Sequence, residues 1–562
     1  MPVNTYDRLS FLDNSFLQLE TPTSPMHIAS CATFKAGPLQ TAEGGIDIEK
    51  IQNYIASRLY LIPRYRQKLA YVPIENHPMW VDDVHFNIDY HVRHVALPKP
   101  GDERQIRRLA ARVMAQHLDR QKPLWEIWIL EGLANPEHFA MISKVHHCMV
   151  DGVSSVDLLN VLLKPEPTDM VEPPPQWRPR SAPSRWQMAT EAIRRYAQLP
   201  ITIARSLPES LQEVGNPDSG FRTSLEALRQ TVSTGAWKVS DTPLNNLIGP
   251  HRRVDWLTMD LDAVKGVKRR LGGTLNDVVL ATVAGALRRF LLRRGVDVAA
   301  LDFRVMAPVS VRSEQARGSL GNHISGWMVP MPLGEPEPIP RLESIRATTE
   351  HLKESKQALS AEVLTQVGAW TPSTLLALGA RLAVTALPFN LIVTNVPGPQ
   401  LPLYMLGARM IDNFGFIPLV DSLCLGIVLF SYAGKLCWGF TGERDLLPDI
   451  HDFVEDIEVS FRELSEAPER VEIQTAPRKA ARARRRTRPG QRQDVQVKPD
   501  QDVGIAAAEA VGTDRPDHAV HAQEPGHPLE RPNGAGAPAP ALYEHSLAPA
   551  PPRERPGRHP FS

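Results

Sequence analysis

Two adjacent histidines, His146 and His147, followed after three residues by Asp151 and Gly152, stand in the stretch Lys144-Val-His-His-Cys-Met-Val-Asp-Gly-Val-Ser155. An imidazole near its unperturbed pKa accepts and returns a proton at neutral pH, so this is where acid–base chemistry is expected. Upstream, residues 139–145 are short and partly alternating, which predicts a strand; downstream, residues 153–163 carry apolar side chains at helical spacing. A strand-to-helix turn can project His147 into a cleft while both flanks hold it rigidly. Gly152 suits close packing or a backbone angle closed to other residues. The same residues admit a structural use: two histidines ending a strand as satisfied core residues, and Asp151 as the cap of the next helix. No metal is expected. Adjacent strand residues point to opposite faces, and no Cys or His cluster completes four ligands. Cys148 reads as a small buried side chain.

The elements that must position this turn lie in a long chain. At 562 residues, 42% of them hydrophobic, two domains with added segments are expected. Lys+Arg and Asp+Glu balance at 63 each, which gives no global attraction to nucleic acid or to an anionic membrane. The four cysteines, at 31, 148, 424 and 437, form no paired spacing and fit a reducing compartment. The N-terminus has no secretory pattern. The longest apolar region, residues 373–396, is broken by Arg381, Pro388 and Asn390, so membrane contact is expected to be peripheral.

Four regions follow. Residues 1–165 mix strand (27–34, 125–130, 139–145) and helix (48–59), the last two strands forming a hairpin that delivers the histidines. Residues 166–250 are a connection, proline-rich at first. In it Trp186, Ala189, Ile193 and Tyr196 make one helical stripe with Arg194 and Arg195 beside it. That stripe fits an interfacial amphipathic helix, or an ordinary core face packed on its own domain, which is the favoured reading. Residues 251–470 again mix helix (274–292) and strand (302–309, 389–395), with a hairpin of 425–432 and 435–440 around Ala433-Gly434. Residues 471–562 begin with a basic run, 478–488, and are expected to be a disordered tail.

Taken together, the ordered blocks resemble the bacterial wax ester synthase/diacylglycerol acyltransferase family, among the CoA-dependent acyltransferases related to chloramphenicol acetyltransferase and peptide-condensation domains. The blocks are Leu9-Ser-Phe-Leu-Asp13, Pro25-Met-His27, Pro123-Leu-Trp125, the histidine motif, Asn276-Asp277, Pro308-Val-Ser-Val-Arg312 with Leu320-Gly-Asn322, and Asn395-Val-Pro-Gly-Pro399. The resemblance covers residues 5–465 and leaves out the tail. It implies an α/β (α+β) fold of two chloramphenicol-acetyltransferase-like domains with a substrate channel between them. It further implies acyl-CoA as donor substrate, no cofactor, and diacylglycerol or a long-chain alcohol as acceptor. His147 is then the general base, with His146 shaping the turn and Asp151 locking the loop through an arginine, Arg312 first and Arg304 second. Asn276 and Asp277 become active-site architecture near the domain interface, although capping a helix start is their ordinary role. Pro123, Leu124 and Trp125 shape the channel.

Two rival readings remain. A peptide-condensation-like acyltransferase shares the histidine logic, yet the chain has no evident carrier-protein serine motif. A non-catalytic protein coating lipid droplets or membranes would use the amphipathic stripe and basic tail, but leaves the histidine motif idle. The expected setting is cytoplasmic, peripheral to a membrane or lipid inclusion, with no nucleic acid partner.

Overall fold

Alternation of buried and half-buried side chains makes His27–Lys35 a strand, β1, and it lies inside a six-stranded sheet rather than at its edge. In a computed structural model of the chain, residues 6–73, 75–149, 159, 161–194, 239–310, 324–354 and 389–468 are described. Asp151, Gly152, Arg312, Tyr196, Arg195, most of the expected helix 153–163 and the basic run 478–488 lie outside them.

The small elements of the first half are β2 (Gln67–Tyr71) and β3 (Pro78–Asp82), which form a hairpin, and helices α1 (Phe11–Leu19), α2 (Ile48–Arg58), α3 (Ile88–His91) and α4 (Glu103–Ala115). The first large sheet adds β4 (Val92–Ala96), β5 (Trp125–Glu131) and β6 (His138–His146). β5 and β6 pair antiparallel, with Trp125 opposite Val145, as the sequence predicts for a hairpin. β6 in turn pairs antiparallel with β1, which sets His146 directly opposite His27.

Helix α5 (residues 185–194) follows. The later half contributes β7 (Arg252–Asp260), α6 (Leu261–Leu271), α7 (Leu275–Arg293), β8 (Arg304–Ser310), β9 (Ile324–Pro330), α8 (Pro338–Glu354), β10 (Leu391–Pro397), β11 (Tyr404–Met405), β12 (Ala408–Phe416), β13 (Leu425–Tyr432), β14 (Lys435–Glu443) and α9 (Ile450–Glu466). The second sheet has the order β7-β14-β13-β10-β8-β9. Its β13–β14 hairpin turns on Ala433 and Gly434, with φ of 45° and 81°, the left-handed pair that matches the twist of the flanking strands.

The first sheet reads β11-β12-β1-β6-β5-β4, so residues 404–416 leave the later half and complete the earlier one. Periodicity marks such a segment as a strand but cannot name its neighbour. Where β12 passes the second sheet the backbones nearly touch: a Cβ on Gly439 of β14 would sit 2.0 Å from the carbonyl oxygen of Gly415. Any side chain at 439 would force the strands apart.

Helix α4 also ties the halves together. Asp102 and Gln105 close a capping box at its start, and its apolar face, Ile106, Leu109, Ala110, Val113 and Met114, is buried. That face packs with Ala29, Cys31, Ala140 and Ile142 of the first sheet and with Val254 and Trp256 of β7. Each large side chain in this seam stabilises the arrangement by about 1.5–3 kcal/mol.

Candidate active site

β6 ends at His146, and a short 3-10 turn, His147–Met149, begins at once. The backbone is held from two sides: His146 N–H donates to the Leu124 carbonyl at 3.0 Å, and His147 N–H donates to the Met26 carbonyl at 2.8 Å. His147 is half-buried, and Phe16 of α1 stacks on its ring with centroids 3.7 Å apart and planes 20° from parallel. Its Nδ1 is buried and makes no well-formed hydrogen bond among the described residues. Burial pushes the pKa down to about 4, against an opposing pull from its own backbone carbonyl, and neighbouring His146 lowers it further. The imidazole is therefore neutral at physiological pH.

His146 has a different job. Its Nδ1 accepts the Cys148 N–H at 3.1 Å, which puts the ring proton of the neutral form on Nε2. That nitrogen faces the carboxylate of Glu20 at 3.6 Å, and His27 Nε2 faces the same oxygen at 3.4 Å. These separations are long for hydrogen bonds, and burial lowers both histidines, His27 to about 3, so they are neutral N–H groups around a carboxylate rather than ion pairs. Arg120 grips the other oxygen of Glu20 at 2.5 Å, and His117 Nδ1 lies 3.3 Å from the first. Burial alone would raise the Glu20 pKa; contacts from His146, His27 and Arg120 outweigh it and hold the carboxyl far below the usual range.

Glu20, His27 and His146 bring their ligand atoms within 4.8 Å of one another, a grouping that sequence spacing does not reveal. The Arg120 guanidinium already supplies the positive charge this carboxylate needs. The cluster therefore reads as a network bracing the His146–His147 turn. In the sequence only the Pro25-Met-His27 block and the histidine motif touch it; that His27 stands opposite His146 appears once β1 and β6 are paired.

The other expected residues separate. Leu124 and Trp125 are wholly buried; Trp125 Nε1 donates to the Tyr65 carbonyl at 2.8 Å and its ring stacks on His91 at 4.5 Å. They pack the core beneath the turn, and the Leu124 carbonyl, next to Pro123, receives His146. Asp277 completes a capping box with Thr274 at the start of α7, and its second oxygen accepts the Thr349 hydroxyl at 2.8 Å. Both carboxylate oxygens are thus occupied, while the neighbouring Asn276 is half-buried. Arg304, at the start of β8, is bidentate to Asp302 just before the strand. Cys148 is buried with its thiol pKa raised by desolvation, which leaves it a packing residue.

Two sheets, the first completed by a strand from the later half and carrying a histidine at the end of a central strand, match the architecture of the CoA-dependent acyltransferases. Residues 9–279 match the wax ester synthase/diacylglycerol acyltransferase catalytic domain, and residues 320–465 match the WS/DGAT C-terminal domain. A putative diacylglycerol O-acyltransferase of Mycobacterium tuberculosis is 34% identical over 469 residues, 82% of this chain and 90% of its own length. A probable diacylglycerol O-acyltransferase, tgs1, of the same species is 29% identical, over 80% of this chain and 94% of its own. The solved wax ester synthase/diacylglycerol acyltransferase of Marinobacter aquaeolei VT8 superposes with a TM-score of 0.60 at 25% identity, covering 82% of this chain and 98% of that one. A condensation domain of the calcium-dependent antibiotic synthetase shares the fold at a TM-score of 0.50 and 15% identity, covering 82% of this chain and 96% of that one. The chain belongs to the wax ester synthase/diacylglycerol acyltransferase family. It is an acyl-CoA-dependent acyltransferase.

Proposed function

We propose that the enzyme moves a long-chain fatty acyl group from acyl-CoA to the hydroxyl of diacylglycerol or of a long-chain alcohol, with His147 as general base. The observation that carries this is the neutral, half-buried imidazole of His147, fixed at a strand end by two backbone hydrogen bonds and clamped by Phe16. The reaction uses the neutral tautomer with its proton on Nδ1, which leaves Nε2 with the free lone pair. Nε2 takes the acceptor hydroxyl proton as that oxygen bonds to the thioester carbonyl carbon. The carbon–sulfur bond then breaks, and the imidazolium returns the proton to the leaving CoA sulfur. Burial disfavours the charged ring, so the proton stays only briefly, and transfer on and off is tightly coupled to the two bond changes. No serine or cysteine nucleophile is required. Asp151 would hold the turn's far side through an arginine, Arg312 first; Asn276 and Asp277 would order the second half near the channel.

The acceptors partition out of water, so the enzyme works at a lipid surface. No helix among the described residues is long and apolar enough to span a membrane. The support for surface contact is α5: its Met188 and Ala192 pack against Tyr6, Val72, Met79 and Val81, while Trp186 and Ile193 are 83% and 62% exposed beside exposed Arg185 and Arg194. The helix packs on its own domain as expected, but through a different face: Trp186 and Ile193 of the expected stripe point outward, Ala189 is half-buried and Tyr196 lies outside the described residues. Incubating the purified enzyme with palmitoyl-CoA and either hexadecanol or diacylglycerol, then resolving the lipid products, tests the reaction; absence of both esters would refute it.

A further inference from the structure

A cleft of about 710 Å³ opens between α4, the start of β7 and the segment 444–451 leading into α9. Along one stripe of α4 stand Arg104, Arg108 and Arg112, and Arg253 joins them from β7. None of these four lies within ion-pair distance of a carboxylate among the described residues. Asp255, the one carboxylate in the wall, is already held by Arg107 at 3.1 Å and His451 at 3.0 Å. Like charges four apart on a helix destabilise it by a few tenths of a kcal/mol per pair. This repulsion has no compensation inside the wall, and a polyanion would relieve it.

The cleft adjoins the elements that hold His147. At the C-terminal end of α4, the carbonyls of Val113 and of Gln116, which caps the helix, accept hydrogen bonds at 3.0 Å from Lys144 of β6, three residues before His147, a span of about 10 Å. Arg252, also in the wall, donates to the Thr23 carbonyl, close in sequence to the Met26 carbonyl that receives His147 N–H. The cleft thus shares α4 and Arg252 with the contacts that hold the strand and segment leading to the turn.

We propose that this cleft binds the phosphates of the donor. The diphosphate and 3′-phosphate of coenzyme A lie against Arg104, Arg108, Arg112 and Arg253, and the uncharged pantetheine arm runs past Arg252 toward His147. Guanidinium forks suit phosphate oxygens in pairs. The inference deepens the acyl-transfer reading and rests on it. An anionic lipid headgroup carries the same phosphate chemistry, but a concave site linked through Lys144 and Arg252 to the elements that hold His147 fits a single-molecule donor better than a bilayer.

The test compares palmitoyl-CoA with S-palmitoyl-pantetheine, which has the same thioester and no phosphate, in the full-length enzyme and in Arg108→Ser/Arg112→Ser and Arg253→Ser. The double variant is expected to raise KM for palmitoyl-CoA at least tenfold and to remove most of its salt dependence, with KM for the pantetheine thioester within twofold of wild type. Arg112→Lys should recover part of the loss. Equal KM for palmitoyl-CoA in wild type and variants would overturn the proposal. So would variants that lose sedimentation with phosphatidylglycerol vesicles while keeping KM for palmitoyl-CoA, which would assign the cleft to lipid headgroups. Titration with 3′-phosphoadenosine 5′-phosphate reads the cleft without turnover: tenfold weaker binding in the double variant supports it, and unchanged binding defeats it. If the wild type used neither donor, the acyl-transfer reading would fail, and this titration would still decide the cleft.

Discussion

Phe16 lies almost flat against His147, ring on ring at 3.7 Å, so the first helix of the chain fixes the orientation of a side chain 131 positions later. A base in a rigid rotamer loses little freedom in the transition state. Substituting Phe16→Ala should therefore lower kcat roughly ten- to a hundredfold while KM for the donor changes little. A kcat within twofold of wild type would show that the stack is packing alone.

His147→Ala removes the proposed base and should cost at least about a hundredfold in turnover with the fold retained. Because the wild-type ring stays neutral down to a pKa of about 4, the wild-type kcat/KM profile should be flat from pH 8 to about 5, with no acid limb near 6.5. A limb centred at 6.5 would mean that the titrating group is a solvated histidine elsewhere.

Glu20→Gln keeps the shape of the brace and deletes its charge. Arg120 is 40% exposed and can turn to water, but His27 and His146 remain buried with their Nε2 atoms facing the site. The expected loss is about 1–3 kcal/mol, read as a lower urea midpoint, with reduced turnover because the His147 turn loosens. An unchanged midpoint and full activity would show that the carboxylate braces nothing.

What could be read ahead of the structure divides by distance along the chain. The hairpins 125–145 and 425–443 follow from local alternation and, in the second, from Ala433-Gly434 at the turn. The end of the strand before His147 follows from the alternation of residues 139–145, while most of the helix expected after it lies outside the described residues. The placement of β12 beside β1 does not, because the pairing of Ala29 with Phe416 spans most of the chain and alternation carries no address. Glu20 went unmarked for a similar reason: a carboxylate just after a helix looks like solvated surface until β1 and β6 fold His27 and His146 over it. The stripe on α5 was legible as a stripe, but not its direction, since Met188 and Ala192 compete for the same packing and two smaller side chains take it.

Acid should destabilise the fold early. Burial holds His27 at about 3, and His91 and His147 at about 4, against about 6.5 in an unfolded chain. The folded state resists protons that the unfolded chain accepts. Stability is thus complete above about pH 6.5 and falls as the pH drops toward 4, by about 1.4 kcal/mol per unit for each of these groups. Urea midpoints at pH 7.5, 6, 5.5 and 5 should show this slope, and His91→Gln should lessen it. Equal midpoints from pH 7.5 to 5 would contradict the buried neutral state.

The surface of α5 gives the last prediction. An exposed tryptophan and isoleucine seven residues apart lie on one helix face, and Arg185 and Arg194 flank them, the mixture that settles at the boundary of headgroups and acyl chains. Trp186→Glu with Ile193→Asp should weaken sedimentation with anionic liposomes while leaving the fold intact, because the helix is anchored by Met188 and Ala192 on its opposite side. Transfer to a short, water-soluble alcohol should be unaffected, which separates surface contact from chemistry. The basic run 478–488 offers a purely electrostatic route to the same liposomes, and that route weakens in high salt, whereas apolar insertion persists. Deleting residues 475–562 therefore supplies the comparison. If the α5 variant bound liposomes as wild type does and the deletion abolished binding, the contact would belong to the basic run and Trp186 would be an ordinary exposed aromatic.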